Sequence, residues 1–174
     1  VTLVSGPSAL EPPYGVAFTP VETAEEMRDA LAEAFGDCDI LVMSAAVADW
    51  RARAVAPQKE AKLGETQTLE LVRTPDILSE LAAHKDRQVT VGFAMETDQG
   101  VARAADKARR KRLDFICLNY PARAASAFGS DANEVTLVSP EGEAEALPLL
   151  PKLEVAERLL DRAARLLAVR RAVR

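Results

Sequence analysis

Three times along this chain a stretch with helical spacing runs into a short apolar run. Residues 23–36 lead into 39–44, residues 74–84 into 89–94, and residues 98–112 into 113–118. Apolar runs this short read as strands buried on both faces. Strands alternating with helices specify an α/β fold with a Rossmann-like, doubly wound and mostly parallel sheet.

Other segments fill in this frame. Residues 1–5 form a strand ended by Gly6-Pro7-Ser8, and residues 16–18 a second, closed by Pro20. Thr23-Ala24-Glu25-Glu26 is a capping box, with Met27, Ala30, Leu31, Ala34 and Phe35 on one face behind it and Gly36 as the stop. Residues 67–73 alternate as a strand. Thr74 is placed as the N-cap of the next helix and Pro75 at its first position. Residues 119–133 read as a polar loop. Residues 134–139 and 144–147 read as an antiparallel hairpin around Glu141-Gly142, and residues 152–169 as a final amphipathic helix.

A length of 174 residues suits one domain, and a net charge of -5 excludes a general basic field for nucleic acid. No apolar run is long enough to cross a bilayer, and no signal peptide is visible. Cys38 and Cys117 make neither a disulfide framework nor a metal cluster, so a reduced, cytoplasmic setting is expected. His84 is the single histidine, which excludes a histidine-based triad and a multi-histidine metal site. The basic residues are 16 Arg and 6 Lys. A retained lysine marks a place where a compact ammonium is wanted, although some lysines survive by chance.

Ligands in open α/β sheets sit beyond the carboxyl ends of strands. The run Ile40–Met43 opens there into small residues, Ser44 to Ala46, which let a ligand approach the backbone. Asp49 follows, as a turn residue or as a carboxylate for magnesium or a ribose hydroxyl. Lys59 and Lys62 lie in a loop that is either solvated or a flap over phosphates. The turn Thr74, Pro75, Asp76 and Ile77 is a structural cap or a nucleotide contact. Phe93 is a core aromatic or a stacking ring. Arg103, Lys107 and Lys111 share a helix face that is solvated or forms one wall of a triphosphate site. Asn119 is a turn residue or an amide for a polar substrate group.

No GxGxxG motif and no P-loop occurs. Instead, Ala45-Ala46-Val47-Ala48-Asp49-Trp50-Arg51, Ala56-Pro57-Gln58-Lys59-Glu60-Ala61-Lys62, Thr74-Pro75-Asp76-Ile77, Gly92-Phe93-Ala94-Met95-Glu96-Thr97 and Leu118-Asn119 occur in order. Together they resemble the bacterial phosphopantothenoylcysteine synthetase (phosphopantothenate–cysteine ligase) domain of bifunctional coenzyme A biosynthesis proteins, from Val1 to about residue 167.

The resemblance implies a ligase that joins 4′-phosphopantothenate to cysteine through an acyl-cytidylate, using CTP with Mg2+ and releasing pyrophosphate and CMP. It implies nucleotide contacts at Met43, Ser44, Ala45, Asp49, Lys59, Thr74, Pro75, Asp76, Ile77, Phe93, Lys107 and Lys111. Lys59 would be the catalytic lysine, and Phe93 and Asn119 would meet phosphopantothenate. No residue is implied as a protein metal ligand. A homodimer with its active site at the interface is implied, and FMN only where a decarboxylase half is fused upstream. No nucleic-acid or membrane partner is expected. The family's first strand and Gly-rich unit have no counterpart in the sequence, so the chain is expected to be a single ligase domain lacking that unit, with little complete-reaction activity of its own. A non-catalytic dimerising fragment and a generic Rossmann-type nucleotide-binding protein are the alternatives.

Overall fold

The second and third of the helix-to-strand alternations build the middle of a five-stranded sheet. The structure, a computed structural model, describes residues 1–54, 58, 66, 68–96, 99–120 and 131–172. In chain order its elements are β1 (Thr2–Ser5), β2 (Ala17–Pro20), α1 (Ala24–Phe35), β3 (Ile40–Met43), β4 (Trp50–Ala52), β5 (Leu71–Arg73), α2 (Ile77–Ala83), β6 (Val89–Met95), α3 (Gly100–Arg110), β7 (Phe115–Asn119), β8 (Ala132–Asn133), β9 (Val135–Val138), β10 (Ala144–Ala146), β11 (Leu150–Pro151) and α4 (Lys152–Ala172). They divide into two units, Val1–Glu33 with Ala45–Ile77, and Ala34–Ser44 with Leu78–Arg174. No described helix is long and apolar enough to cross a membrane.

The larger unit holds the sheet, in the order β10-β9-β7-β6-β3. β3, β6 and β7 run parallel, while β9 and β10 add the expected antiparallel hairpin. β6 lies between two parallel neighbours and, apart from the buried Thr90, is apolar on both faces. Val89 and Val91 join Phe115, Cys117 and Leu137 under Val155, Leu159 and Ala163 of α4. Ala94 joins Ile116, Leu118 and Val138 under Ala104, Ala105 and Ala108 of α3. Full burial stabilises each large side chain here by about 1.5–3 kcal/mol. Gly92 makes room for a neighbour: a Cβ there would lie 2.7 Å from Leu113 Cδ1. Gly142, at φ +94, forms the hairpin tip in the left-handed conformation that favours glycine.

The amino ends of β6 and β7 are closed by a charge network. The Asp114 carboxylate, 10% exposed, accepts hydrogen bonds from Lys85 Nζ at 2.8 Å and from Thr90 N–H at 2.7 Å. Arg170 of α4 also donates to Asp114 and, at its Nη1, to the Gln88 carbonyl. Lys85 further donates to Thr90 Oγ1 at 2.9 Å and to the Arg112 carbonyl at 2.7 Å. Burial pulls the Lys85 ammonium below its ordinary range, and Asp114 opposes that shift.

The smaller unit contains two short ribbons. β1 and β2 pair in parallel, Thr2 with Ala17 through Ser5 with Pro20. β4 and β5 pair antiparallel, Trp50 with Arg73 and Ala52 with Leu71. The capping box forms as predicted. Glu26 N–H donates to Thr23 Oγ1 at 3.1 Å, and Glu26 Oε2 accepts from Thr23 and Glu22 N–H.

Several expectations are corrected. Residues 1–5 pair with β2 alone and do not enter the five-stranded sheet. β3 is the sheet's end strand, so Ile40, Leu41 and Val42 are only partly covered, with Val42 37% exposed. Helix α2 starts at Ile77, so Thr74 does not cap it. α3 is shorter than expected and ends at Arg110. The loop expected at 119–133 is interrupted by strand, because Asn119 closes β7 and β8 pairs with β11.

The Asp114 network yields a stability prediction. Asp114→Ala leaves the largely buried Lys85 and the partly exposed Arg170 without their carboxylate and is expected to lower urea-unfolding stability by about 3 kcal/mol. Arg53→Ala breaks an exposed pair with Glu70 and should cost about 1 kcal/mol or less. Equal costs for the two would remove the Asp114 cluster from the account of the fold.

Candidate functional site

In the larger unit, parallel pairing brings distant residues to one sheet edge. Met43 pairs with Gly92, Phe93 with Cys117, and Met95 with Asn119, so the carboxyl ends of β3, β6 and β7 lie side by side. Phe93 is half-buried and packs its ring against the cluster under α4. Its carbonyl accepts a 3.0 Å hydrogen bond from Lys107 Nζ of α3. Glu96 N–H donates to the Asn119 carbonyl at 3.2 Å, and Glu96 Oε2 accepts from Arg103 at 3.2 Å. The expected stripe of α3 thus turns two residues toward the end of β6. Lys111 instead sits at the helix's C-cap. Asn119 Oδ1 is buried and, among the described residues, has no hydrogen-bond partner. A buried amide oxygen without a donor is an unmet polar demand at this edge. Met43 is buried, and Ser44 beyond it is exposed.

In the smaller unit, Ala45, Ala48 and Asp49 are exposed and belong to no helix or strand. Thr74 faces this segment: its N–H donates to the Asp49 carbonyl at 3.1 Å and its hydroxyl to the Ala48 carbonyl. That bonding is why Thr74 is drawn away from the start of α2. Pro75 and Asp76 bridge to the helix, and Ile77 is buried. A cleft of about 560 Å³ is lined by Ser5–Pro7, Val21–Glu25, Ala45–Ala48, Trp50, Arg51 and Thr74. Arg51 Nε donates to Glu25 Oε1 at 2.5 Å and holds the Glu25 carboxyl below the usual range. Lys59 and Lys62 lie outside the described residues.

Sequence reasoning missed the β4–β5 ribbon, the Thr74 bonds and the Lys107–Phe93 contact. The alternation of residues 67–73, read as a strand, is the one signal for the ribbon, and it locates β5 alone. Neither cysteine adds chemistry. Burial pushes the Cys117 thiol up to about 12 and raises that of Cys38 as well. Among the described residues no group of three or more His, Cys, Asp and Glu side chains is placed to hold a metal ion.

An α/β sheet with polar and cationic groups gathered at the carboxyl ends of its parallel strands belongs to the Rossmann-like class. Within that class, residues 1–167 match the family of the DNA/pantothenate metabolism flavoprotein C-terminal domain, and the chain belongs to it. The coenzyme A biosynthesis bifunctional protein CoaBC of Bacillus subtilis (strain 168) is 40% identical over 167 residues, covering 95% of this chain and 41% of that protein. The chain thus spans about two fifths of the length of the curated relatives it matches. The crystal structure of the C-terminal domain of CoaBC is 37% identical with a TM-score of 0.78, over 96% of this chain and 76% of that one. A Cab2 mutant in complex with phosphopantothenate-cysteine shares the fold at 17% identity and a TM-score of 0.67, over 88% of this chain and 54% of that one.

The thiols provide a direct check on burial. In the native chain at pH 8, Cys38 should react slowly with a disulfide reagent and Cys117 only after denaturation. Equal rates for both in the native chain would contradict the packing of β7.

Proposed function

We propose that this chain is a CTP-dependent phosphopantothenate–cysteine ligase domain acting in coenzyme A biosynthesis. The observation that carries the reading is the meeting of Phe93, Lys107 and Asn119 at one strand-end edge. These residues are scattered in sequence, and each matches a position the family uses. The similarity to the CoaBC C-terminal domain over most of both chains supports it. So does the product carried by a protein of the same fold.

In the proposed reaction, a carboxylate oxygen of 4′-phosphopantothenate attacks the α-phosphorus of CTP. The bond to pyrophosphate breaks and an acyl-cytidylate forms. The cysteine amine then attacks the acyl carbon, loses a proton to solvent, and CMP departs. The chemistry asks the protein for charge stabilisation and alignment more than for a strong base. Lys107, anchored on the Phe93 carbonyl, is proposed to meet phosphate. Lys59 is proposed to stabilise charge on the triphosphate and acyl-nucleotide. Asn119 is proposed to offer its amide to phosphopantothenate.

Asp49 is exposed, and its carboxylate has no hydrogen bond or ion pair to the described residues. A magnesium ion that arrives on a triphosphate takes one or two carboxylates beside the phosphates. Asp49 fits that role, and magnesium there would offset phosphate charge. Met43, Ser44, Ala45, Pro75, Asp76, Ile77 and Lys111 are proposed to line the nucleotide.

The partner is proposed to be a second copy, in the cytoplasm. The β4–β5 ribbon exposes an apolar face, with Trp50 at 51%, Leu71 at 48% and Leu69, two residues ahead of it, at 64%. A two-stranded ribbon alone is marginal in water and gains from being covered.

Two experiments test this reading. Titration with Mg·CTP should show binding that Lys107→Ala weakens about tenfold, and pyrophosphate release on adding 4′-phosphopantothenate separates a ligase from a non-catalytic domain. Binding of NADH in place of CTP would sink the proposal. By sedimentation, the chain should be a dimer and Leu71→Glu a folded monomer. An unchanged dimer would move the interface off this ribbon.

A further inference from the structure

The polar groups of Thr74 are turned toward the chain that carries Asp49. Its N–H donates to the Asp49 carbonyl at 3.1 Å, and its hydroxyl donates to the Ala48 carbonyl. The neighbouring residues explain why this matters. Residues 44–48 are small, mostly exposed, and outside helix and strand. Side chains of that kind bury too little to fix a backbone, so its conformation depends on hydrogen bonds.

The ribbon supplies them from one side. Trp50 pairs with Arg73, and the Arg73 guanidinium lies over the Trp50 ring, 5.3 Å from its centre. The bond from Thr74 N–H to Asp49 extends that ladder by one rung. The hydroxyl then reaches a residue further back, where β4 has ended. Arg51, on the opposite face of β4, is tied to Glu25 of α1 at 2.5 Å. The Asp49 carboxylate has no hydrogen bond or ion pair of its own among the described residues. The carboxylate is therefore placed only through its backbone, and Thr74 is what holds that backbone.

We infer that Thr74 is a positioning residue, a latch on the Ala48–Asp49 backbone that fixes where the Asp49 side chain leaves the chain, and that it acts through Asp49 and does not itself touch the nucleotide. Only the identity of what Asp49 meets, the magnesium-bound triphosphate, rests on the ligase reading. Threonine suits the task, because its branched Cβ stiffens the side chain and leaves the hydroxyl few directions. Serine keeps the donor. Valine keeps the shape and loses the donor, and the exposed Ala48 carbonyl then bonds to water, so the fold survives.

The test uses this chain with Thr74→Val, Thr74→Ser, Asp49→Asn and the Thr74→Val/Asp49→Asn pair, titrated with Mg·CTP by calorimetry. Thr74→Val should weaken binding about fivefold, the worth of one net hydrogen bond, and Thr74→Ser should stay within about twofold of the parent. In the Asp49→Asn background, Thr74→Val should add nothing, because its effect runs through a carboxylate already gone. Multiplying losses would mean direct contact with the nucleotide and would overturn the latch, as would a serine variant no better than valine.

A ligand-free readout separates this inference from the function. Trp50 is the one tryptophan and adjoins the latched turn, so its fluorescence anisotropy should fall in Thr74→Val and not in Thr74→Ser. If the parent chain fails to bind Mg·CTP, the ligase reading falls and the anisotropy alone decides. Lowered anisotropy in the valine variant supports the latch, and unchanged anisotropy removes it.

Discussion

The burial of β6 on both faces is the constraint from which the larger unit follows. A strand with parallel neighbours on each side has no wet face, so it carries Val89, Val91 and Ala94 where a half-buried strand would alternate with polar residues. Each face then demands its own helix. On one side α3 approaches on alanines, and on the other α4 supplies Val155, Leu159 and Ala163. Gly92 reflects the same pressure, because the Leu113 side chain occupies the space a Cβ would take. Once α3 is packed that closely, Lys107 is brought over the last residues of β6. The Phe93–Lys107 contact is thus a by-product of core packing as much as of any local sequence signal.

The two ends of the parallel strands are built on opposite principles. At the amino ends, Asp114 gathers Lys85, Arg170 and the Thr90 N–H, so the buried carboxylate is answered by several donors at once. At the carboxyl ends, the buried oxygen of Asn119 is left without a partner among the described residues. One end is finished by the protein's own groups, and the other holds an acceptor that no described residue meets. That asymmetry agrees with the general rule that α/β sheets bind at strand carboxyl ends.

What the sequence made legible was whatever depends on neighbours along the chain. The capping box at Thr23, the runs at 89–94 and 113–118, and the turn at Gly142 all follow from local spacing and local conformation. Long-range competition hid the rest. Thr74 has the chemistry of an N-cap, and a nearby helix to cap, yet a carbonyl 26 residues away takes its hydroxyl. Trp50–Ala52 is too short to show an alternation, so β4 is visible only from its partner. Ile40–Met43 looks like a buried strand because its residues are apolar, and nothing local says that it ends the sheet. Asp49 in the smaller unit, and Lys107 and Asn119 in the larger, are each ambiguous singly, and in the sequence only the family resemblance relates them. Lys59, the residue that resemblance weights most, falls outside the described residues.

The order of strands across the sheet also bears on how the molecule is made. From β3 through β6, β7 and β9 to β10, position across the sheet repeats position along the chain. Each strand therefore joins an edge left open by the one before it, and none has to be threaded between two strands already paired. As the polypeptide leaves the ribosome, this sheet can widen from one side only, with α4, which follows all five strands in the chain, closing over the face that they have laid down.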